Sequence, residues 1–207
     1  MTAKEIHLYR RMEVIMGSKT KIEWCDASWN PVTGCLHGCK YCYARRMAQR
    51  FSGVKIGNYN GQICELEEPY RAANGNINPY PYEFMPTFHR YRLDNLRHWV
   101  KPKNIFVCSM ADLFGEWVPD EWIREVFKAC KDNPQHRYLF LTKNAKRLGE
   151  LASKGELPKD DNFWWGSSLD NRNALRYPGR FLDHTFLSIE PLTEYMDVGL
   201  GSFGHAE

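Results

Sequence analysis

The hydrophobic positions of this chain change their period as it advances. "ASWNPVTG", residues 27–34, is a first run of strand character, and Tyr43 to Phe51 then sets Ala44, Met47 and Phe51 on one helical face. From residue 104 the alternation becomes regular. "NIFVCSM" (104–110), "RYLFLT" (137–142), "FWWGSSL" (163–169) and "TFLSIEP" (185–191) are apolar runs of the kind that forms buried strands. Helix-period segments separate them. "VPDEWIREVFKACKD" (118–132) has Pro119 near its start and Trp122, Val126, Phe127 and Cys130 at helical spacing. A second helix is predicted from Asn144 to Ala152, and an arginine-rich third from Asn171 to Leu182. Strands alternating with helices predict βα units around a parallel sheet. Trp164 and Trp165, adjacent in a strand, must face opposite sides, with one in the core.

Three stretches fall outside this rhythm. Residues 53–86 are rich in Gly, Asn, Pro and Tyr, which predicts a long loop or insertion. Residues 1–18 form an appendage, and residues 19–207 carry the patterned domain. Met12 to Met16 can be encoded with a ribosome-binding-like stretch, which predicts that translation begins at Met16; the intact mass of natively expressed protein checks this. The chain stops at "GLGSFGHAE", where a further strand is due, so a C-terminal truncation is expected.

Composition narrows the class. In 207 residues, 43% hydrophobic and 26% charged, there is material for one soluble domain with a substantial core. No apolar run has the length of a membrane span, and the N-terminus has no signal-peptide core. Seven cysteines, an odd number and partly clustered, argue against a disulfide framework and for a reducing, cytoplasmic setting. The net charge of +3 is small, yet no Asp or Glu occurs between Asp26 and Glu65 while Lys40, Arg45, Arg46, Arg50 and Lys55 do. That span reads either as a solvated basic face or as a positive field around the cysteines. Together with the aromatic stretch from Tyr59 to Tyr91, it leaves a nucleic-acid partner open, and salt-sensitive binding would mark one.

The chemistry concentrates in "TGCLHGCKYCYARR", residues 33–46. Cys35, Cys39 and Cys42 are spaced C-x3-C-x2-C, with the aromatic Tyr41 before the last cysteine. Three thiolates suit an iron–sulfur cluster, and a four-iron cluster with three thiolates keeps one iron open to a substrate or cofactor. Zinc is the rival, because His37 completes a C-x-H-x-C-x2-C donor set for a tetrahedral site. Four ligands within eight residues are crowded for zinc, and the chain has no second C-x2-C.

A C-x3-C-x-aromatic-C motif after a first strand and before a helix, in an α/β chain, resembles the radical S-adenosylmethionine (SAM) superfamily. More narrowly, "TKIEWCDASWNPVTGC", "HRYRLDNL", "NIFVCSMADLF" and "FLSIEPL" are similar to an uncharacterised, phage-associated family with radical-SAM-like cysteines. The resemblance covers roughly residues 19–195. It implies a partial (β/α)6 TIM-like barrel, here expected to lack its last strand. It also implies a [4Fe-4S] cluster on Cys35, Cys39 and Cys42, and SAM bound with Tyr41 on its adenine side. Reductive SAM cleavage and hydrogen abstraction would follow, with electrons from a donor such as a flavodoxin or ferredoxin. The substrate is not implied.

Functional residues of parallel barrels gather at the carboxyl ends of strands. That rule nominates Ser109 and Asp112 after the second main strand, Thr142 and Lys143 after the third, Ser167 and Ser168 after the fourth, and Glu190 after the fifth. Where the superfamily often has Gly-Gly-Glu for the SAM amino group, this chain has Ser109-Met110-Ala111-Asp112, so Asp112 is the candidate carboxylate. Lys143 reads first as a helix-entry lysine and only second as an anion anchor. Cys108 and Cys130 are expected to be small core hydrophobes. Cys25 and Cys64 are either structural or reactive thiols. His89 and Arg92 read as capping or surface-pairing residues. Outside enzymology, a zinc- or cluster-stabilised interaction module fits the same motif.

Overall fold

The computed structural model describes residue 20 and residues 22–52, 63–169 and 182–190. The appendage 1–18, the stretch 53–62, the helix predicted from Asn171 except for its last residue, and the chain end after residue 190 lie outside them. Five strands form a parallel sheet in the order β1 (Ala27–Trp29), β5 (Asn104–Val107), β6 (Arg137–Thr142), β7 (Phe163–Ser168) and β8 (Thr185–Ser188). A second, three-stranded sheet has the order β2 (Val32–Thr33), β4 (Thr87–His89) and β3 (Cys64–Leu66). The helices are α1 (Tyr43–Phe51), α2 (Asp120–Lys131) and α3 (Ala145–Ser153), with a 3-10 helix over Arg90–His98.

The mixed α/β class and the mainly parallel sheet are as the pattern predicts. Barrel closure is not seen: among the described residues β1 and β8 are the two edges of an open sheet. The first predicted strand is in fact two. Pro31 cannot donate to a ladder, and the Asn30 side-chain oxygen accepts from Met110 N (2.8 Å) and Ser109 Oγ (3.2 Å), turning the chain after Trp29. β2 then leaves for the small sheet, antiparallel to β4. Nor is 53–86 simply a loop. Cys64–Leu66 pairs parallel with β4, so the small sheet is assembled from segments far apart in sequence.

Alternation along the strands gives the large sheet two different faces. One carries Ile105, Val107, Tyr138, Phe140, Phe163 and Trp165, packed under Trp122, Val126 and Phe127 of α2 and Leu148 and Leu151 of α3. Phe140 stacks between Phe163 (centroids 5.9 Å apart, 6° between planes) and Trp165 (5.0 Å, 21°). Cys108 and Cys130 are buried in this core, as their apolar neighbourhoods predict. Of the tryptophan pair, Trp165 faces this core and Trp164 the other side. The opposite face bears Phe106, Leu139, Leu141 and Phe186, and of these Phe106 and Leu141 floor a cleft. No helix among the described residues is long and apolar enough to cross a membrane.

Candidate metal and cofactor cleft

The three-cysteine loop runs from β2 to α1 and is fixed at both ends. At its entry Gly34 has φ +84°, donates its N–H to Met110 O (2.9 Å) and bridges Ala111. A Cβ there would run into the carbonyls of Phe84 and Met85, so only glycine lets the chain pass between these segments. Cys35 N donates to Phe84 O (3.2 Å) in the same place. Mid-loop, Gly38 (φ +71°) makes the second left-handed turn. At the exit, Cys42 is the N-cap of α1: its Sγ accepts from Arg45 N (3.4 Å), and its N–H donates to Cys39 O (3.3 Å). The helix is held by Ala44 and Ala48, which pack against Phe84 and Met110.

All three thiols are free, and all three open onto one cleft of about 1370 Å³. Burial pushes the Cys35 thiol up to about 12, with the nearby Asp112 charge adding to the rise. The donor chemistry suits a thiophilic metal or cluster, since none of the three is in a disulfide and all lie on one short, turn-rich loop. They are not gathered to a point: among the described residues, no three His, Cys, Asp or Glu side chains stand together as a ready-made ion site.

Around the thiols the cleft collects most of the strand-end candidates. Tyr41, Ser109, Asp112, Lys143, Ser168 and Glu190 line it. Lys143 Nζ lies 5.4 Å from the centre of the Tyr41 ring. Ser109 uses its hydroxyl to hold Asn30, and its carbonyl accepts from Tyr43 OH (2.8 Å). Thr142 and Ser167 do not reach the cleft wall. Ser167 follows the alternation of β7 to the opposite face from Ser168, and it is buried there.

Asp112 is buried, and both of its oxygens are engaged. Oδ1 accepts from Thr142 Oγ1 (2.7 Å) and Phe114 N (3.0 Å); Oδ2 accepts from Lys143 N (2.8 Å) and His37 Nε2 (2.7 Å). A ligand amine would therefore have to displace His37 to reach it. His37 also stands edge-on to Trp117, with centroids 4.9 Å apart. This pairing joins the cysteine loop to the ends of β5 and β6 across 75 positions of sequence.

His89 and Arg92 are not surface residues. His89 is fully buried, with Nε2 against Thr33 Oγ1 (2.8 Å), and burial followed by the Arg92 charge holds it well below the ordinary imidazole value. Arg92 is 5% exposed and lines the cleft. It donates to the carbonyls of Asn30 (2.9 Å) and Pro79 (3.0 Å) and to Tyr91 OH (3.2 Å), tying together the segments that carry the cleft wall. Sequence signals for charged residues point outward, and nothing in the motif marks Asn30, Tyr80, Phe84 or Arg92 as wall residues. Cys25 and Cys64 are both buried.

No curated protein and no solved structure gave a match to this chain. A family model described as "Protein of unknown function (DUF5131)" matches residues 19–203, which takes in both sheets, the three-cysteine loop and every strand end on the cleft. The chain belongs to that family.

Proposed function

We propose that this protein is a radical SAM enzyme on an open, half-barrel variant of the (β/α)6 fold, working in a reducing, cytoplasmic setting. One observation carries the reading: three free thiols on a single loop open onto the same large cleft as the carboxyl ends of the parallel strands. In this reading Cys35, Cys39 and Cys42 hold a four-iron cluster. A cluster with SAM supplies one-electron cleavage of the sulfonium and, with it, hydrogen abstraction from a substrate.

The remaining work belongs to the chain's own residues. Tyr41, with the Lys143 ammonium over its ring, offers a flat wall for the adenine. Ser168 and Glu190 are polar groups at the ends of β7 and β8, positioned for hydroxyl and amino groups. Phe106 and Leu141 make the floor apolar and exclude water from a reactive intermediate. Asp112 fixes the start of the β6–α3 connection and the His37 segment of the cysteine loop together. An electron donor of flavodoxin or ferredoxin type completes the requirement.

The test is anaerobic. Protein reconstituted with iron and sulfide is reduced, and its EPR spectrum is recorded with and without SAM. A four-iron signal that shifts on SAM addition, and is lost in Cys35→Ala, Cys39→Ala and Cys42→Ala, is the expected result. A colourless protein holding one zinc and indifferent to SAM would refute it. That second outcome has an observation in its favour. An imidazole donating Nε2–H to Asp112 leaves Nδ1 as its free nitrogen, the arrangement by which a carboxylate orients a metal-binding histidine. Cys35, His37, Cys39 and Cys42 would then hold a structural zinc, in an interaction module rather than an enzyme.

A further inference from the structure

One side of α1 is uncovered where it borders the cleft. Tyr43, Met47 and Phe51, four positions apart, are 51%, 43% and 52% exposed, and all three line the cleft. Lys40, Arg46 and Arg50, on the same helix and the loop before it, are also exposed. No carboxylate among the described residues forms an ion pair with any of these cations. The Arg50 guanidinium lies 5.5 Å from the centre of the Phe51 ring, so charge and aromatic surface are presented side by side. Deeper in the cleft, Arg92 is buried with its donors spent on carbonyls and a hydroxyl rather than on a carboxylate.

The occupant must satisfy both features at once. An apolar partner would leave the cations unmatched, and a simple anion would leave the exposed rings in water. Planar bases on a phosphate backbone satisfy both, by stacking and by charge. The volume is consistent with this: about 1370 Å³ exceeds the roughly 300–1000 Å³ of sites that take one small ligand, so a second flat group fits beside a nucleoside-sized one. The carboxylates on the wall do not oppose it. Asp112 is met by four hydrogen-bond donors, and Glu190 belongs to the segment after β8 rather than to the α1 face that carries the cations.

We propose that this face binds single-stranded nucleic acid, with bases stacked on Phe51 and Tyr43, phosphates on Lys40, Arg46 and Arg50, and one unpaired base entering the cleft. As the identity of a substrate this rests on the radical-enzyme reading; as a binding site it does not. The experiment uses the full chain and fluorescence anisotropy with labelled single-stranded DNA, single-stranded RNA and a matched duplex over a salt series. A single strand is expected to bind more tightly than the duplex, with log affinity falling linearly in log salt. Arg46→Ala with Arg50→Ala should reduce that slope by about 1.4, at about 0.7 per lost phosphate contact. Phe51→Ala should weaken binding about fivefold or more with the slope unchanged, as expected for a lost stacking platform.

No single-strand binding at low salt overturns the proposal. So does an affinity and slope shared by all variants, or a Phe51-dependent self-association in sedimentation, which would make a second copy the occupant. The two readings separate cleanly. A SAM-dependent EPR shift without oligonucleotide binding removes only the nucleic acid, and oligonucleotide binding by a protein indifferent to SAM removes only the radical chemistry.

Discussion

Gly34 and Gly38 offer a matched test of how the cysteine loop is held. Both lie in the left-handed region, at φ +84° and +71°, and each immediately precedes a cysteine, Cys35 or Cys39. Replacing either with alanine incurs the left-handed cost of an L-residue, about 1–2 kcal/mol. At Gly38 an added Cβ would meet no atom within 4 Å among the described residues beyond its chain neighbours. At Gly34 the Cβ would stand 2.7 Å from the Phe84 carbonyl oxygen and closer still to Met85, where about 3.5 Å is an ordinary approach. These atoms are main chain, so relief requires moving the 84–85 segment away from the loop. The movement disturbs Gly34 N to Met110 O (2.9 Å) and Cys35 N to Phe84 O (3.2 Å). At about 1 kcal/mol each, the total for Gly34→Ala is about 3–4 kcal/mol, against about 1–2 for Gly38→Ala. For a chain of this length the difference amounts to about 4–8 °C in melting temperature. Thermal melts followed by circular dichroism, with urea midpoints beside them, measure it. Equal losses in the two variants would show that Gly34 is not pinned between the 84–85 and 110–111 segments.

Two further perturbations test the buried polar groups. Asp112→Asn puts an amide N–H₂ against donors whichever way it is turned, because both carboxylate oxygens accept from the chain; a loss of about 2–3 kcal/mol is expected in urea unfolding, and a neutral result would mean that these bonds do not form. His89 is held neutral in the fold, with burial the main cause and Arg92 the second, whereas the unfolded chain takes up its proton near the ordinary value of 6.5. Stability is therefore full above that value and falls as pH drops below it, by up to about 1.4 kcal/mol per pH unit. His136 moves the same way. Urea unfolding across this range should show a shallower pH slope in His89→Gln, and an unchanged slope would refute the assignment.

What the sequence reveals and what it hides divide along contact range. The β6 run Arg137–Thr142 and the helix that begins near Asn144 are legible because an apolar run and a helical period are local signals. The break at Pro31 was also written locally, since proline interrupts a ladder, but the apolar run across it reads as one strand. β3 is three residues long and exists only because β4, some twenty positions later, pairs with it; no window over 53–86 contains that information. Arg92 and His89 carry the sequence signature of surface residues, and only the convergence of Asn30, Pro79 and Thr33 around them makes burial tolerable.

The pair His37–Asp112 belongs to the same hidden class, and it bears on why the motif has three cysteines and not four. Three of the four bonds to Asp112 come from Phe114, Thr142 and Lys143, groups with no stake in any metal, so the carboxylate stays in place whatever the loop holds. His37 is thereby anchored toward the strand ends by a partner outside the loop. If that anchor aims the imidazole at a zinc ion, Asp112→Asn must lower metal content along with stability. If the thiols alone hold a cluster, the same variant leaves iron content intact and costs only folding energy. Metal analysis of this one variant thus separates the two readings without any assay of activity, and without changing a single candidate ligand.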